Sequence, residues 1–111
     1  MSKILKILSA LSDRTRLKIF LYLVSESLCV CELIHILDMK QARISRMLKK
    51  LKDAGLIDGE RNGKWIIYSA NPEALKTGIV RGLMEDKKLS ASDLKKLRKC
   101  KKEGLREGCC K

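Results

Sequence analysis

Aromatic residues, histidine and long apolar runs are all scarce in this sequence, and each scarcity excludes something. Aromatic side chains make up 4% of the 111 residues, so the core has to be built mainly from Leu and Ile. A single histidine, His35, cannot form a His-rich zinc site. No apolar stretch approaches the ~18–20 residues that cross a bilayer, and the N-terminus lacks the apolar region of a signal peptide. We therefore expect a cytoplasmic protein without a membrane partner.

Positive charge is what the chain has in abundance. Its 25 Lys and Arg residues outnumber 13 Asp and Glu residues, which gives a formal net charge of +12. Such a charge attracts polyanions, and nucleic acid is a better candidate than an anionic membrane surface. A chain of this length builds one folded core. Because lysine becomes frequent after residue 85, we predict a folded domain at 1–85 and a basic, Cys-containing extension at 86–111.

The five cysteines are an odd number, which does not suit a closed disulfide framework. Two of them form a Cys-x-Cys pair, and three lie in the extension. Thiolates bind soft metals and metalloids, so we consider all five as candidate ligands, although cysteines also serve as small core residues. The spacing is not the Cys-x-x-Cys of a zinc ribbon or a thiol oxidoreductase, and we expect no enzyme. The candidates are Cys29, Cys31, Cys100, Cys109 and Cys110.

The order of the predicted elements is that of a winged helix-turn-helix. Apolar residues at helical spacing predict four helices before residue 55, of which the fourth covers about 41–54. Strands at 56–60 and 64–70 follow, joined by an Asn62-Gly63 turn. A fifth helix begins at Pro72, with Leu75, Ile79 and Leu83 on its apolar face, and a final helix is capped by Ser90 and runs to about Lys102. We predict a mainly α fold with one β-hairpin, five to six helices in all, that assembles as a dimer through apolar faces of the first and fifth helices.

The fourth predicted helix has an apolar face and a basic face, and the basic face is the candidate surface for reading DNA. In this fold the helix enters the major groove and the hairpin contacts the backbone. We expect Arg43, Ser45 and Arg46 to read bases and the lysines to hold phosphates. A merely solvated basic face is the alternative. The full set of candidates is Gln41, Arg43, Ser45, Arg46, Lys49, Lys50, Arg61 and Lys64.

Several of these motifs together resemble the ArsR/SmtB family of metal-responsive repressors. The resemblance extends over about residues 3–85, and its motifs are residues 12–17, the Cys29-Val30-Cys31 box, residues 44–57 and residues 63–68. It implies a homodimeric repressor that binds double-stranded operator DNA and leaves it on binding a metal or metalloid. The box looks like that of the arsenite and the cadmium/lead branches. The implied effector is arsenite, As(III), or antimonite, with Cd(II) or Pb(II) as the alternative.

One difference from the arsenite branch concerns the third sulfur ligand. The branch commonly has a third cysteine three residues after the box, where this chain has Ile34, which cannot bind a metal. A site of three sulfurs would have to borrow one from the extension. We favour Cys109 or Cys110 for this role, with Cys100 next. Among ligands other than sulfur, Glu32 is possible, although we expect its carboxylate to be solvated.

The spacing of the box sets a geometric condition. Residues i and i+2 of a regular helix do not face each other, so one metal atom holds Cys29 and Cys31 only if the helical turn unwinds or the pair lies at the very start of the helix. Binding should therefore distort this helix and the helix packed against it. A thiol-redox-responsive repressor is a further alternative, but a disulfide across Cys-x-Cys closes a small, strained ring.

Overall fold

The computed structural model describes residues 3–86 and 91–103, which form a helical body with a small sheet at one side. Ile44, Leu48 and Leu51 are among the fully buried side chains, so the core is mainly aliphatic, as predicted. In chain order the elements are α1 (Lys3–Leu11), α2 (Arg14–Ser25), β1 (Leu28–Cys29), α3 (Val30–Leu37), α4 (Gln41–Asp53), β2 (Ile57–Asn62), β3 (Trp65–Ala70), α5 (Pro72–Leu75), α6 (Gly78–Asp86) and α7 (Ala91–Glu103).

Helices α3 and α4 form the helix-turn-helix. Asp38 ends α3 in the left-handed region with φ of 52°, a conformation that Asp tolerates better than most residues. The predicted fourth helix is confirmed as α4, whose buried side chains are Ile44, Met47, Leu48 and Leu51. After it, Gly55 with φ of 77° turns the chain towards the sheet, which a residue with a Cβ does only at a cost.

The sheet has three antiparallel strands in the order β1-β3-β2. The predicted hairpin is present, but its two loop residues are Gly63 and Lys64, because Asn62 is already paired with Trp65. Gly63 has a positive φ of 65°, which two-residue hairpin loops require. The third strand, β1, was not predicted. It is two residues long and pairs Leu28 with Tyr68 and Cys29 with Ile67.

The fold class is confirmed, but the prediction of five to six helices is wrong in detail. The described residues contain seven helices, because the predicted fifth helix is divided into α5 and α6. The reason is that Ala74 and Val80 are the buried side chains of this region. Six residues apart, they lie on different faces of a continuous helix. A break at Lys76 and Thr77 allows both to reach the core.

Helix α7 lies against α3, so the basic segment returns to the body of the protein. Among the α7 side chains that the structure describes, Asp93, Leu97 and Cys100 are buried, and their spacing of four and then three residues places them on one helical face. The division into 1–85 and 86–111 stays a prediction. Within the described ranges, no helix combines the length and apolarity needed to cross a bilayer.

Candidate functional site

The Cys-x-Cys pair lies at the very start of α3. Cys29 is the N-cap residue, with an extended backbone at φ −94° and ψ 169°, and Cys31 is the second residue of the helix. Cys29 is buried, with 1% of its surface exposed, and Cys31 is half-buried. Because the backbone of Cys29 is extended and not helical, the angle between the two side chains is not the angle that residues i and i+2 have in a regular helix. This is one of the two arrangements in which a single atom can hold both.

Glu32 caps the same turn of α3. Its Oε1 accepts a hydrogen bond from the backbone N–H of Cys29 at 3.0 Å, and its side chain is 2% exposed. The expectation that this carboxylate is solvated is wrong. A carboxylate at the third helical position satisfies an N–H that has no partner within the helix and complements the helix dipole. Glu32 therefore holds the backbone of Cys29 in place.

Cys100, from α7, is the third cysteine at this turn. Its side chain is fully buried, and its Sγ lies 3.9 Å from the backbone carbonyl oxygen of Glu32. Cys109 and Cys110, which the sequence favoured for the third ligand, lie outside the described residues. No three His, Cys, Asp or Glu side chains within residues 3–86 and 91–103 are gathered closely enough to hold a metal as they stand. Binding through all three thiols therefore requires them to converge.

Polar contacts to α2 hold the first turn of α7. Lys18 Nζ lies 3.1 Å from Oδ1 of Asp93, and the Tyr22 hydroxyl donates a long hydrogen bond of 3.4 Å to the backbone carbonyl of Asp93. Burial, followed by the negative charge of Asp93 and a hydrogen bond to it, raises the pKa of Tyr22 well above its usual range. The phenol therefore remains a protonated donor, and it anchors α7 on the α2 side.

The candidate DNA-reading face is exposed. All six candidates on α4 and both on the wing, the β2–β3 hairpin, point to solvent, while the apolar face of α4 is buried. At the wing tip, Lys64 Nζ lies 5.6 Å from the centre of the Trp65 ring, a cation–π contact that holds a positive charge at the loop. The two predicted DNA-contacting elements thus present cations on their exposed surfaces.

The thiol-bearing turn is joined to both of these elements. Helix α3 packs on α4, which is the connection that the sequence predicted. The strand β1 adds a second connection, since the backbone of Cys29 pairs with Ile67 of the wing. Sequence reasoning missed this pairing because two residues are too few to show the alternating pattern of a strand. The backbone of Cys29 is thus in direct contact with the wing strand β3.

An apolar patch on α1 faces solvent. Ile4, Leu5 and Leu8 are 49%, 52% and 43% exposed, while Ile7, Ala10 and Leu11 on the same helix are buried in the core. The patch lies on the helix that the sequence selected for dimerisation. Burial of such a patch against a second copy would remove apolar surface from water.

Comparison with known proteins gives a consistent group of relatives. The sequence profile described as "Bacterial regulatory protein, arsR family" matches residues 13–58. The chain is 41% identical over 68 residues to the arsenic resistance transcriptional regulator ArsR1 of Pseudomonas putida, covering 60% of this chain and 53% of ArsR1. It is 38% identical over 78 residues to an arsenical resistance operon repressor of Bacillus subtilis, covering 69% of this chain and 70% of that one.

A relative with a different effector in its name is the cadmium resistance regulatory protein CadC homolog of Staphylococcus aureus. It is 32% identical over 87 residues, covering 78% of this chain and 72% of the homolog. Among solved structures, NolR from Sinorhizobium fredii is similar with a TM-score of 0.66 and 28% identity, covering 79% of this chain and 87% of NolR. The chain spans between 50% and 59% of the length of ArsR1 and three other arsenic-related relatives.

Proposed function

Because this chain belongs to the arsR family of bacterial regulatory proteins, we propose that it is a dimeric repressor that binds operator DNA and leaves it when a soft metalloid binds Cys29 and Cys31. The observation that supports this most directly is the position of the pair. It lies at the start of α3, next to the helix and the wing that would contact DNA. The proposal places this activity in the cytoplasm, where thiols stay reduced.

DNA binding is proposed to use α4 in the major groove and the wing on the backbone. Arg43, Ser45 and Arg46 are the proposed base contacts, and Lys49, Lys50, Arg61 and Lys64 the proposed phosphate contacts, with Gln41 at the helix start. A homodimer would bring two α4 helices to half-sites ~10 bp apart or a multiple of this. The exposed apolar patch of α1 supports such a dimer. Affinity would fall steeply with salt, because each phosphate contact releases counterions.

Arsenite is the proposed effector, with antimonite as its chemical analogue. Relatives whose names refer to arsenic resistance support this choice. Cd(II) or Pb(II) is the second candidate. The chain is also similar to the CadC homolog, and thiolates are suitable ligands for these soft ions as well. A redox-responsive repressor is less well supported, because burial of Cys29 restricts the access that thiol oxidation requires.

Release follows from what effector binding does to the start of α3. Bonds from one arsenic atom to both thiols draw Cys29 away from the position set by its contact with Glu32 and its pairing with Ile67. The resulting strain is passed to α4 and to the wing. DNA favours the unstrained arrangement and arsenite the strained one, so each disfavours the other. Typical coupling free energies of ~1–3 kcal/mol correspond to ~5–150-fold changes in affinity.

The test is an arsenite titration of the DNA complex. DNA that binds the protein is first selected from a random pool, and its release is then followed by fluorescence anisotropy in excess reductant. Wild-type protein should be released by arsenite, while Cys29→Ser and Cys31→Ser should bind DNA with little change and fail to respond. Release of either variant at the wild-type arsenite concentration would show that the pair is not the sensor.

A further inference from the structure

We propose that Cys100 supplies the third sulfur of the effector site, so that one arsenic atom joins the start of α3 to α7 of the same chain. The proposal rests on the proposed function, in which Cys29 and Cys31 bind the effector. It identifies the missing ligand from its place in the fold, where the position three residues after the pair is occupied by Ile34. Helix α7 then becomes part of the sensor.

A single residue, Glu32, contacts both partners of the proposed link. Its carboxylate accepts the hydrogen bond of the Cys29 N–H at 3.0 Å, and its carbonyl oxygen lies 3.9 Å from the Cys100 sulfur. Cys31 directly precedes it in the chain. All three thiols are therefore carried by, or packed on, the first turn of α3.

The position of Cys100 is set by the way α7 docks. Its buried face consists of Asp93, Leu97 and Cys100, and the residues between them are exposed. The ion pair of Lys18 with Asp93 fixes the rotation of the helix at one end. Seven residues later, ~10 Å along the helix axis, the same face delivers Cys100 to α3. Because Cys100 already packs against the first turn of α3, its recruitment needs a shift of packed helices and not the closure of a loop, which a more distant cysteine would require.

The chemistry needs no oxidant or reductant. Arsenous acid, As(OH)3, reacts with three thiols: three As–O bonds break, three As–S bonds form, and each hydroxide leaves as water with one thiol proton. Arsenic stays in the +3 state. The described thiols are not gathered closely enough to hold a metal as they stand, so the third bond pulls α7 and the first turn of α3 towards each other. Binding energy is thereby used to move α3.

X-ray absorption at the arsenic edge counts the sulfur ligands directly. The wild-type complex should show three As–S bonds, and Cys100→Ala should show two, with an oxygen in the third place. The double variant Cys109→Ser/Cys110→Ser should keep three. Three sulfurs in Cys100→Ala, or two in the double variant, would overturn the proposal. If Cys29→Ser and Cys31→Ser lose arsenite binding while Cys100→Ala binds arsenite as wild type does, the role of Cys100 is refuted and the proposed function stands.

Phenylarsonous acid tests whether Cys100 is a ligand or only a packing residue. Its phenyl group stays on arsenic, so only two hydroxyl groups can be replaced by thiols. Cys100→Ala should bind arsenite about tenfold or more weakly yet bind phenylarsonous acid as wild type does. Equal losses for both probes would overturn the proposal, since they would indicate a packing defect. Leu97→Ala serves as the matched control for α7 docking. It keeps the Cys100 thiol, so it should retain three sulfurs.

Discussion

The candidate DNA-reading face and the candidate thiol site differ in how they are built. The DNA face lies on α4 and the wing, and its candidate side chains are exposed on regular elements. The thiol site is assembled at a helix start from two distant parts of the chain, and Cys29, Glu32 and Cys100 are all buried there. The positions of exposed side chains depend mainly on the helix or hairpin that carries them. A buried site depends on the packing of every element around it, so the two should respond differently to substitution.

The largest effect should come from removing two arginines of the DNA face. Arg43→Ala together with Arg46→Ala should weaken binding to selected DNA by more than tenfold, since a good base contact contributes ~1–3 kcal/mol of discrimination. Both side chains are exposed, so the free energy of unfolding and the arsenite affinity should stay near wild type. Fluorescence anisotropy, urea denaturation and arsenite titration measure the three quantities. A parallel loss of arsenite binding would mean that the two regions are not separable in this way.

Removing the buried cap, Glu32, should change the stability and the arsenite affinity that the arginine substitutions leave unchanged. Glu32→Ala deletes the acceptor of the Cys29 N–H and should lower the free energy of unfolding by ~1–3 kcal/mol, because a buried donor loses its charged partner. Arsenite affinity should change as well, since Cys29 is no longer held. Urea denaturation measures the first effect. Glu32→Gln is the matched control, because its side-chain oxygen still accepts this hydrogen bond, and a loss equal to that of Glu32→Ala would contradict the capping role.

The smallest effect concerns the anchor of α7 on α2. The pKa of Tyr22 is raised in the folded protein by burial and by Asp93, so the folded state favours the protonated phenol. Its contribution to stability is complete below the unfolded pKa of ~10 and is lost as the pH rises above that value. Tyr22→Phe should lower stability at pH 7 by ~1 kcal/mol, the contribution of one hydrogen bond.

The pH profile distinguishes this anchor from simple packing. Between about pH 10 and 11 the Tyr22 phenol ionises in the unfolded chain and stays protonated in the folded protein. The free energy of unfolding of wild type should therefore fall more steeply with pH in this range than that of Tyr22→Phe. Thermal unfolding at matched ionic strength provides the measurement. Identical slopes for the two proteins would show that the Tyr22 hydroxyl does not interact differently in the folded and unfolded states.

Much of the scaffold was predictable because local patterns and tertiary packing agree there. The apolar spacing of α4 places Ile44, Met47, Leu48 and Leu51 on one face, and the core buries that face. Where packing competes with local pattern, prediction was wrong. The region after Pro72 reads as one helix, but burial of Ala74 and Val80 divides it into two. The role of each candidate DNA contact stays a prediction.

The amino-acid sequence by itself determined the first four helices, the hairpin that follows them, the basic face of α4 and the Cys-x-Cys pair, because each is set by residues close together in the chain. Only the tertiary structure decided the surroundings of that pair. It buried Glu32 as a cap, paired Cys29 with Ile67 and brought Cys100 to the first turn of α3. Such contacts join residues up to 68 positions apart. They depend on the packing of whole helices, which the spacing of residues close together in the sequence does not determine.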